Sequence, residues 1–119
     1  MNEIFIGGNV PSSKNGKRWT GKMLIHSKTV MTYISATKAD YLSKKFKAML
    51  VGKEAPYKIS FEFIRGSRHR FDYINPCQTV QDLMVKYDWI EDDNCEFIIP
   101  SFEPYTYNKE EAGVIIRVL

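Results

Sequence analysis

The sequence predicts a single small α+β domain, in which two main helices pack against a mixed β-sheet. Its 119 residues are 44% hydrophobic and 26% charged, a composition typical of one globular domain. Residues 57–64 alternate between apolar and polar side chains, as expected for a strand with one buried face. Two other stretches place apolar residues at helical spacing, and no βαβ pattern repeats along the chain, which favours the α+β class.

The first third of the chain predicts short strands around a basic loop. Residues 3–6 are typical of a strand, and residues 9–18 form a loop rich in turn formers and basic side chains. Residues 23–34 are rich in β-prone side chains, which predicts a short hairpin. A helix is then expected from Thr37, where Asp40 three residues later gives a capping signal, to Gly52. Its predicted apolar face consists of Ala39, Leu42, Phe46, Met49 and Leu50.

A second helix follows the 57–64 strand. Asn75 is a good N-cap residue, and Pro76 suits the first helical position because its φ is already fixed. The predicted core stripe of this helix is Val80, Leu83, Met84 and Tyr87. Residues 113–119 are apolar and β-branched, which predicts a final strand.

Composition also bounds the setting of the protein. No run approaches the roughly 18 apolar residues of a membrane span, and the first residues lack the basic region of a signal peptide. Cys77 and Cys95 stand far apart and form no disulfide framework. We therefore expect no membrane association and a reduced, cytoplasmic location.

The net charge of +3 hides a strong asymmetry between the two parts of the chain. Residues 1–70 contain 14 Lys and Arg against 4 acidic residues, whereas residues 71–119 contain 3 against 10. A basic part beside an acidic part suits a protein that grips phosphates with one surface and holds cations with another. The alternative is a chance partition of solvated charges.

Three carboxylates are the candidates for catalysis. Asp72 precedes the second predicted helix, and Asp92 and Asp93 follow it. A helix of about 13 residues spans roughly 20 Å, so these groups meet only if the chain folds back after the helix. Oxygen ligands of this kind fit Mg²⁺, with Mn²⁺ as the alternative. The competing interpretation is that residues 91–94 form an exposed acidic turn.

The order of these residues resembles a family signature. RusA-type Holliday-junction endonucleases show D-x-D-N, a Lys three residues later, another Asp four residues further, and a D-D pair about ten residues beyond. The segments Asp72-Tyr-Ile-Asn75 and Trp89-Ile-Glu-Asp-Asp93, with Asp82 between them, are similar to this pattern. Pro11-Ser-Ser-Lys-Asn15 looks like the P-S-x-N loop of the family, and Arg68-His-Arg70 resembles the basic run before its first Asp.

The resemblance implies a metal-binding catalytic site formed by Asp72, Asp92 and Asp93. Asn75 matches the motif Asn, although it also suits an N-cap. Two positions depart from the pattern, because Ile74 replaces the second Asp and Gln78 replaces the Lys. Ile74 cannot bind a metal and Gln78 cannot offer a cation to a phosphate. A further alternative is that Ile74 is buried against the second helix.

The basic segments are the expected DNA-binding surface. The predicted contacts are Lys14, Asn15, Lys17, Arg18, Arg68 and Arg70. The resemblance implies a Mg²⁺-dependent homodimeric endonuclease that acts on four-way junctions in DNA recombination and repair. Two alternatives stay open, which are a catalytically impaired junction-binding protein of the same fold and an α+β interaction module without a nucleic-acid role.

Overall fold

The computed structural model describes residues 2–12, 17–19, 24–26 and 28–119, and of residues 17–19 and 24–26 it describes the backbone alone. Strands and helices follow one another irregularly along the chain. The strands are β1 (Glu3–Gly7), β2 (Lys17–Trp19), β3 (Leu24–His26), β4 (Tyr57–Arg65), β5 (Ile98–Phe102), β6 (Thr106–Tyr107) and β7 (Gly113–Val118). The helices are α1 (Lys28–Leu42), α2 (Lys45–Met49) and α3 (Ile74–Lys86).

Five of these strands form one mixed sheet, which confirms the α+β class. Its order is β1-β7-β4-β5, and the short β6 continues β5 along β4, while β2 and β3 form a separate antiparallel pair. Strand β4 runs antiparallel to β7 and parallel to β5 and β6. The alternation predicted in β4 is confirmed in part: Ile59, Phe61 and Phe63 are fully buried in the core, but Ser60 between them is buried as well.

One crossover gives the sheet its parallel part. The chain leaves β4, forms α3, and returns as β5, so that Tyr57 pairs with Ile98 at the start of both strands. Because α3 connects parallel strands, it begins near the end of β4 and runs back along the sheet. The buried side chains Val80, Leu83 and Met84 hold α3 on the core, as predicted.

The start of the first helix was predicted wrongly. The hairpin expected within 23–34 is wrong, because β3 of that range pairs with the preceding β2, and α1 begins at Lys28 rather than at Thr37. Thr37 lies in the middle of α1, where its Oγ1 donates to the Tyr33 carbonyl oxygen at 2.7 Å. The core face of α1 is Val30, Tyr33, Thr37 and Tyr41, at helical spacing. Burial of that face outweighs the β propensity of the segment.

The second part of the predicted first helix is a separate element. After a break at residues 43–44, α2 buries Phe46 completely, whereas Leu42 of the expected apolar face is exposed. Gly52 lies beyond α2 with φ of +82°, the left-handed conformation that glycine adopts without strain. The helix therefore ends at Met49, with Leu50 as its C-cap, and Gly52 belongs to the turn that follows.

The cap of α3 also differs from the prediction. Tyr73 occupies the N-cap position without a side-chain hydrogen bond, and the Asn75 backbone N–H donates to the Asp72 carbonyl oxygen at 3.0 Å. Asn75 is thus inside the first turn and does not cap the helix. Ile74 is 65% exposed, so the alternative that it is buried against the helix is wrong.

Within the ranges described, no helix combines the length and the apolar character that crossing a membrane requires.

Candidate functional site

A cleft of about 610 Å³ opens where β4 leads into α3. Segments that are far apart in the sequence meet there, because the crossover turns the chain back at this end of the sheet. The lining residues are Ser12, Arg65, Arg70, Phe71, Asp72, Tyr73, Asn75, Pro76 and Tyr105. Basic, acidic, amide and aromatic side chains therefore share one concave surface, which is the usual setting of a ligand or catalytic site.

Two hydrogen bonds hold the N-terminal segment at this cleft. The Arg65 guanidinium donates from Nη1 to the Val10 carbonyl oxygen at 2.7 Å, and the Thr79 hydroxyl donates to the Pro11 carbonyl oxygen at 2.6 Å. Ser12 then lies in the cleft wall. The beginning of the loop that resembles the P-S-x-N loop is thus tied to both β4 and α3.

The rest of that loop is described only in part. Lys14 and Asn15, predicted to contact DNA, lie outside the described residues. Lys17 and Arg18 belong to β2, whose backbone pairs with β3.

The three arginines after the centre of β4 have different roles. Arg65 is half-buried over the Phe71 ring, with 4.6 Å from Cζ to the ring centroid, and burial lowers its pKa. Arg70 lines the cleft, as a phosphate-binding residue must. Arg68 lies over the Tyr107 ring at 4.4 Å. Arg70 and Arg68 were predicted as DNA contacts, whereas the role of Arg65 in positioning the loop was not.

Asp72 and Asn75 lie side by side in the cleft. Asp72 is exposed, and Asn75, one turn further, is not used as a helix cap. Both side chains are therefore available to a ligand. This pair is the part of the predicted site that the cleft contains.

Asp93 approaches α3 from the other side. Gln78 donates from Nε2 to Asp82 Oδ1 at 2.7 Å and to Asp93 Oδ2 at 3.0 Å. The chain after α3 therefore folds back along the helix, as the predicted site requires. One amide group bridges two carboxylates that would otherwise repel each other.

Burial and the charge of Asp93 act on a third side chain in this region. Burial, with a smaller contribution from the nearby Asp93 carboxylate, raises the pKa of the Cys77 thiol to about 12. Cys77 is consequently an inert core thiol, because the thiolate is the reactive form of cysteine.

Asp92 shapes the turn that presents Asp93. Its Oδ1 accepts the Asp93 backbone N–H at 2.7 Å, and its Oδ2 accepts the Asn94 side-chain amide at 3.1 Å. Both carboxylate oxygens thus have local partners in the turn. Asp92 is exposed, so a ligand can replace either contact at a cost of about 1 kcal/mol.

The predicted acidic residues lie at two points along α3. Asp72 precedes the helix, and Asp93 contacts it at Gln78, six residues or about 9 Å of helical rise later. Their oxygen donors suit Mg²⁺ chemically. In the described part of the chain, however, no group of three or more His, Cys, Asp or Glu side chains is arranged to hold a metal ion. The Gln78 amide nitrogen, a donor, also occupies an oxygen of Asp93 that a cation would need.

Replacing Asp93 with Asn should raise the melting temperature of the metal-free protein by about 2 °C, because it removes a charge beside Asp82 while a carbonyl oxygen still accepts from Gln78. If Asp93 is a metal ligand, the variant should also lose any stabilisation by Mg²⁺. Thermal unfolding with and without Mg²⁺ measures both effects. Glu96→Gln, an exposed change in the same turn, is the control. Equal Mg²⁺ shifts in all three proteins would exclude Asp93 as a ligand.

Comparison with known proteins assigns no family to the chain: no protein-family model matches it, and no curated protein matches it. The resemblance to RusA-type endonucleases therefore depends on the motif residues of the sequence.

Proposed function

We propose that the protein binds branched DNA and cleaves it as a Mg²⁺-dependent endonuclease. The observation that carries this proposal is the convergence of Ser12, Arg70, Asp72 and Asn75 on one cleft. In the resembled family, these positions belong to the basic loop, the basic run and the acidic motif. Arg70, Asp72 and Asn75 are neighbours in the sequence, so the informative member is Ser12, which comes from a distant segment and still lines the same cleft.

The residues of the cleft suggest a division of roles. Arg70 can bind the phosphate of a DNA strand, because a guanidinium matches two phosphate oxygens at once. The carboxylate of Asp72 lies in the same cleft and excludes a second phosphate from its own position by charge repulsion. Together they favour one orientation of the strand, with a phosphodiester between the basic and the acidic side chains.

The residues that would hold Mg²⁺ are Asp72, Asp92 and Asp93, with Mn²⁺ as the alternative ion. When bound, such an ion supplies activation of water and stabilisation of the phosphodiester transition state. To hold the ion, Asp72 and Asp93 would have to come together from their two points along α3, and the Gln78 amide would have to leave Asp93. Gln78 is exposed, so water can replace its two hydrogen bonds at about 1 kcal/mol each.

A second candidate function is binding of branched DNA without cleavage. The specific observation in its favour is the position of the two departures from the family pattern. Ile74 and Gln78 are one turn apart and both exposed on α3, and Gln78 contacts Asp93. A site without the second Asp and the Lys of the family pattern can still bind DNA but no longer cleave it.

We also propose that the protein acts as a cytoplasmic homodimer. A four-way junction has near two-fold symmetry, and a two-fold dimer presents one site to each of two strands. Sedimentation velocity with and without junction DNA tests this arrangement.

A paired assay separates the candidates. A gel shift with a synthetic four-way junction in EDTA tests binding, and addition of Mg²⁺ to the same complexes tests cleavage. Binding with cleavage supports the endonuclease, and binding alone supports the second candidate. The absence of binding would favour an interaction module without a nucleic-acid role.

Affinity for junction DNA should fall steeply with salt, because Lys and Arg release counterions from the phosphates they neutralise. Replacing Arg68 and Arg70 together with Ala should reduce the slope of log affinity against log salt by about 2. Fluorescence anisotropy across a salt series measures the slope. The control replaces Lys53 and Lys58, two exposed lysines before and at the start of β4, far from the cleft end. If both double variants change the slope equally, Arg68 and Arg70 contribute only general positive charge and no specific contact with DNA phosphates.

A further inference from the structure

We propose that a set of partly exposed aromatic rings beside the cleft stacks with the bases of single-stranded DNA. This aromatic surface consists of Phe71, Tyr73, Phe102, Tyr105 and Tyr107. The proposal rests on the proposed function for the nature of the polymer, and it adds that the substrate must offer unpaired nucleotides next to the cleft. Its binding step does not depend on cleavage.

Four of the five rings, Phe71, Tyr73, Phe102 and Tyr105, form one connected group, and the Tyr107 ring contacts Arg68. Phe71 contacts Tyr105 edge-on, with 5.1 Å between centroids and an interplanar angle of 87°, and contacts Tyr73 at 5.2 Å. Tyr73 in turn lies 5.4 Å from Phe102. Each ring therefore limits the motion of its neighbours, and such geometries are favourable for aromatic pairs.

The group is anchored on the core of the sheet. Phe102 lies 6.3 Å from Phe61, and Phe71 lies 6.5 Å from Phe63. Phe61 and Phe63 are fully buried side chains of the central strand β4. A surface held in this way loses little conformational entropy when it binds a ligand, which is the condition for a preorganised site.

A break in the edge strand turns two tyrosines outward. Glu103, Pro104 and Tyr105 separate β5 from β6, and the Tyr105 backbone N–H donates to the Tyr73 hydroxyl at 3.0 Å. Tyr105 remains 43% exposed and Tyr107 41% exposed. Rings that complete a core are normally covered, so these two present stacking area to a partner.

The charge around the rings is suited to a phosphate backbone. Arg68 lies over Tyr107, and Arg70 shares the cleft with Tyr105. The guanidinium of such an arginine can bind a phosphate while a base of the same strand stacks on a neighbouring exposed ring. Within residues 102–107, Glu103 is the one acidic residue. The basic segment 65–70 adds a third arginine, Arg65, which also lines the cleft.

Alternating aromatic rings and arginines favour single strands over duplex DNA. Every base has an aromatic face, but duplex DNA exposes only the edges of its bases, so stacking on a ring requires an unpaired nucleotide. Arg70 lines the cleft together with Phe71, Tyr73 and Tyr105, and a protein partner without phosphates would gain less from its charge. The occupant is therefore a single strand that enters from the aromatic surface and reaches Asp72.

The test measures binding of a fluorescein-labelled oligothymidine in EDTA, where no cleavage occurs. Replacing Tyr105 and Tyr107 together with Ala should weaken binding about tenfold or more, whereas replacing both with Phe should leave it within twofold, because Phe retains the stacking face. Phe5→Ala, which removes an exposed ring from the opposite edge strand β1, should bind like the wild type. Circular dichroism confirms that each variant is folded.

Three results would overturn the proposal. The first is equal affinity of the wild type and the double Ala variant for oligothymidine. The second is a loss of affinity of the double Ala variant for a fully paired duplex that equals its loss for oligothymidine. The third is a change from dimer to monomer in the double Ala variant by sedimentation, which would make the surface an interface between copies. If binding depends on the tyrosines but the protein cleaves no DNA, only the proposed endonuclease function is refuted. The two proposals therefore fail separately.

Discussion

Replacing Trp89 with Ala should lower the free energy of unfolding by about 3–5 kcal/mol, the usual cost of removing a buried aromatic side chain. Trp89 is buried, stacks on Phe46 at 4.7 Å, and lies 5.2 Å from the Tyr41 ring. Its Nε1 also donates to the Tyr41 carbonyl oxygen at 2.8 Å. Equilibrium unfolding in urea, followed by circular dichroism, measures the loss.

The same substitution should disturb the candidate site, because Trp89 is the anchor of the turn that presents Asp93. Trp89→Phe keeps a ring in the core but removes the Nε1 donor, so it should cost about 1–3 kcal/mol and leave the turn in place. The Mg²⁺ dependence of melting should then survive in the Phe variant and fall in the Ala variant. Similar urea midpoints for wild type and Trp89→Ala would contradict the role assigned to this residue.

The central strand was predictable because its burial pattern is local. In β4, Ile59, Phe61 and Phe63 point into the core while Lys58 and Glu62 do not, so alternation in the sequence reports the fold directly. Strand β5 gives no such signal. Only Ile98 of β5 is buried, and Ile99, Pro100 and Ser101 are exposed, since β5 lies at the edge of the sheet and pairs through its backbone.

The beginning of α1 could not be read from propensity. Val30, Tyr33 and Thr37 favour strands individually, yet they occupy one face of a helix that packs on the sheet. A Tyr33–Tyr41 hydroxyl contact of 3.1 Å and the Thr37 hydrogen bond satisfy their polar groups within the helix. Tertiary burial therefore decided the structure, and the spacing of three and four residues was the signal to weigh more heavily.

The candidate site was predictable in part for a similar reason. Asp72 and Arg70 are adjacent to the start of α3 in the sequence, so their presence in one cleft follows from local structure. The contact of Gln78 with Asp93 depends on how the chain returns after the helix, which no local pattern encodes. The aromatic surface was missed because Tyr105 and Tyr107 suit a strand interior, and only the break after Phe102 exposes them.

Position 74 offers the sharpest test of the proposed endonuclease. Ile74 is the first residue of α3 and is 65% exposed, so a polar side chain there leaves no cavity in the core. It occupies the place where the resembled family has its second Asp. A carboxylate at a helix N-terminus is favoured by the helix dipole, and one at this position lies one turn before Gln78, on the face that meets Asp93.

Replacing Ile74 with Asp should therefore leave the protein folded and raise Mg²⁺-dependent cleavage of a four-way junction by about 10- to 100-fold, the scale on which groups that support a metal site act. The stabilisation of the fold by Mg²⁺ should increase as well, which gives a readout independent of activity. The control is Ile74→Asn, because Asn has the shape of Asp without its charge. It should increase neither the cleavage rate nor the stabilisation by Mg²⁺. If the wild type cleaves and the Asp variant shows no increase, another residue already provides the missing ligand, and Glu91, exposed in the turn before Asp92, is the first to replace. If neither protein cleaves and neither is stabilised by Mg²⁺, the acidic side chains around α3 are not a metal site, and binding of DNA without cleavage is the function to pursue.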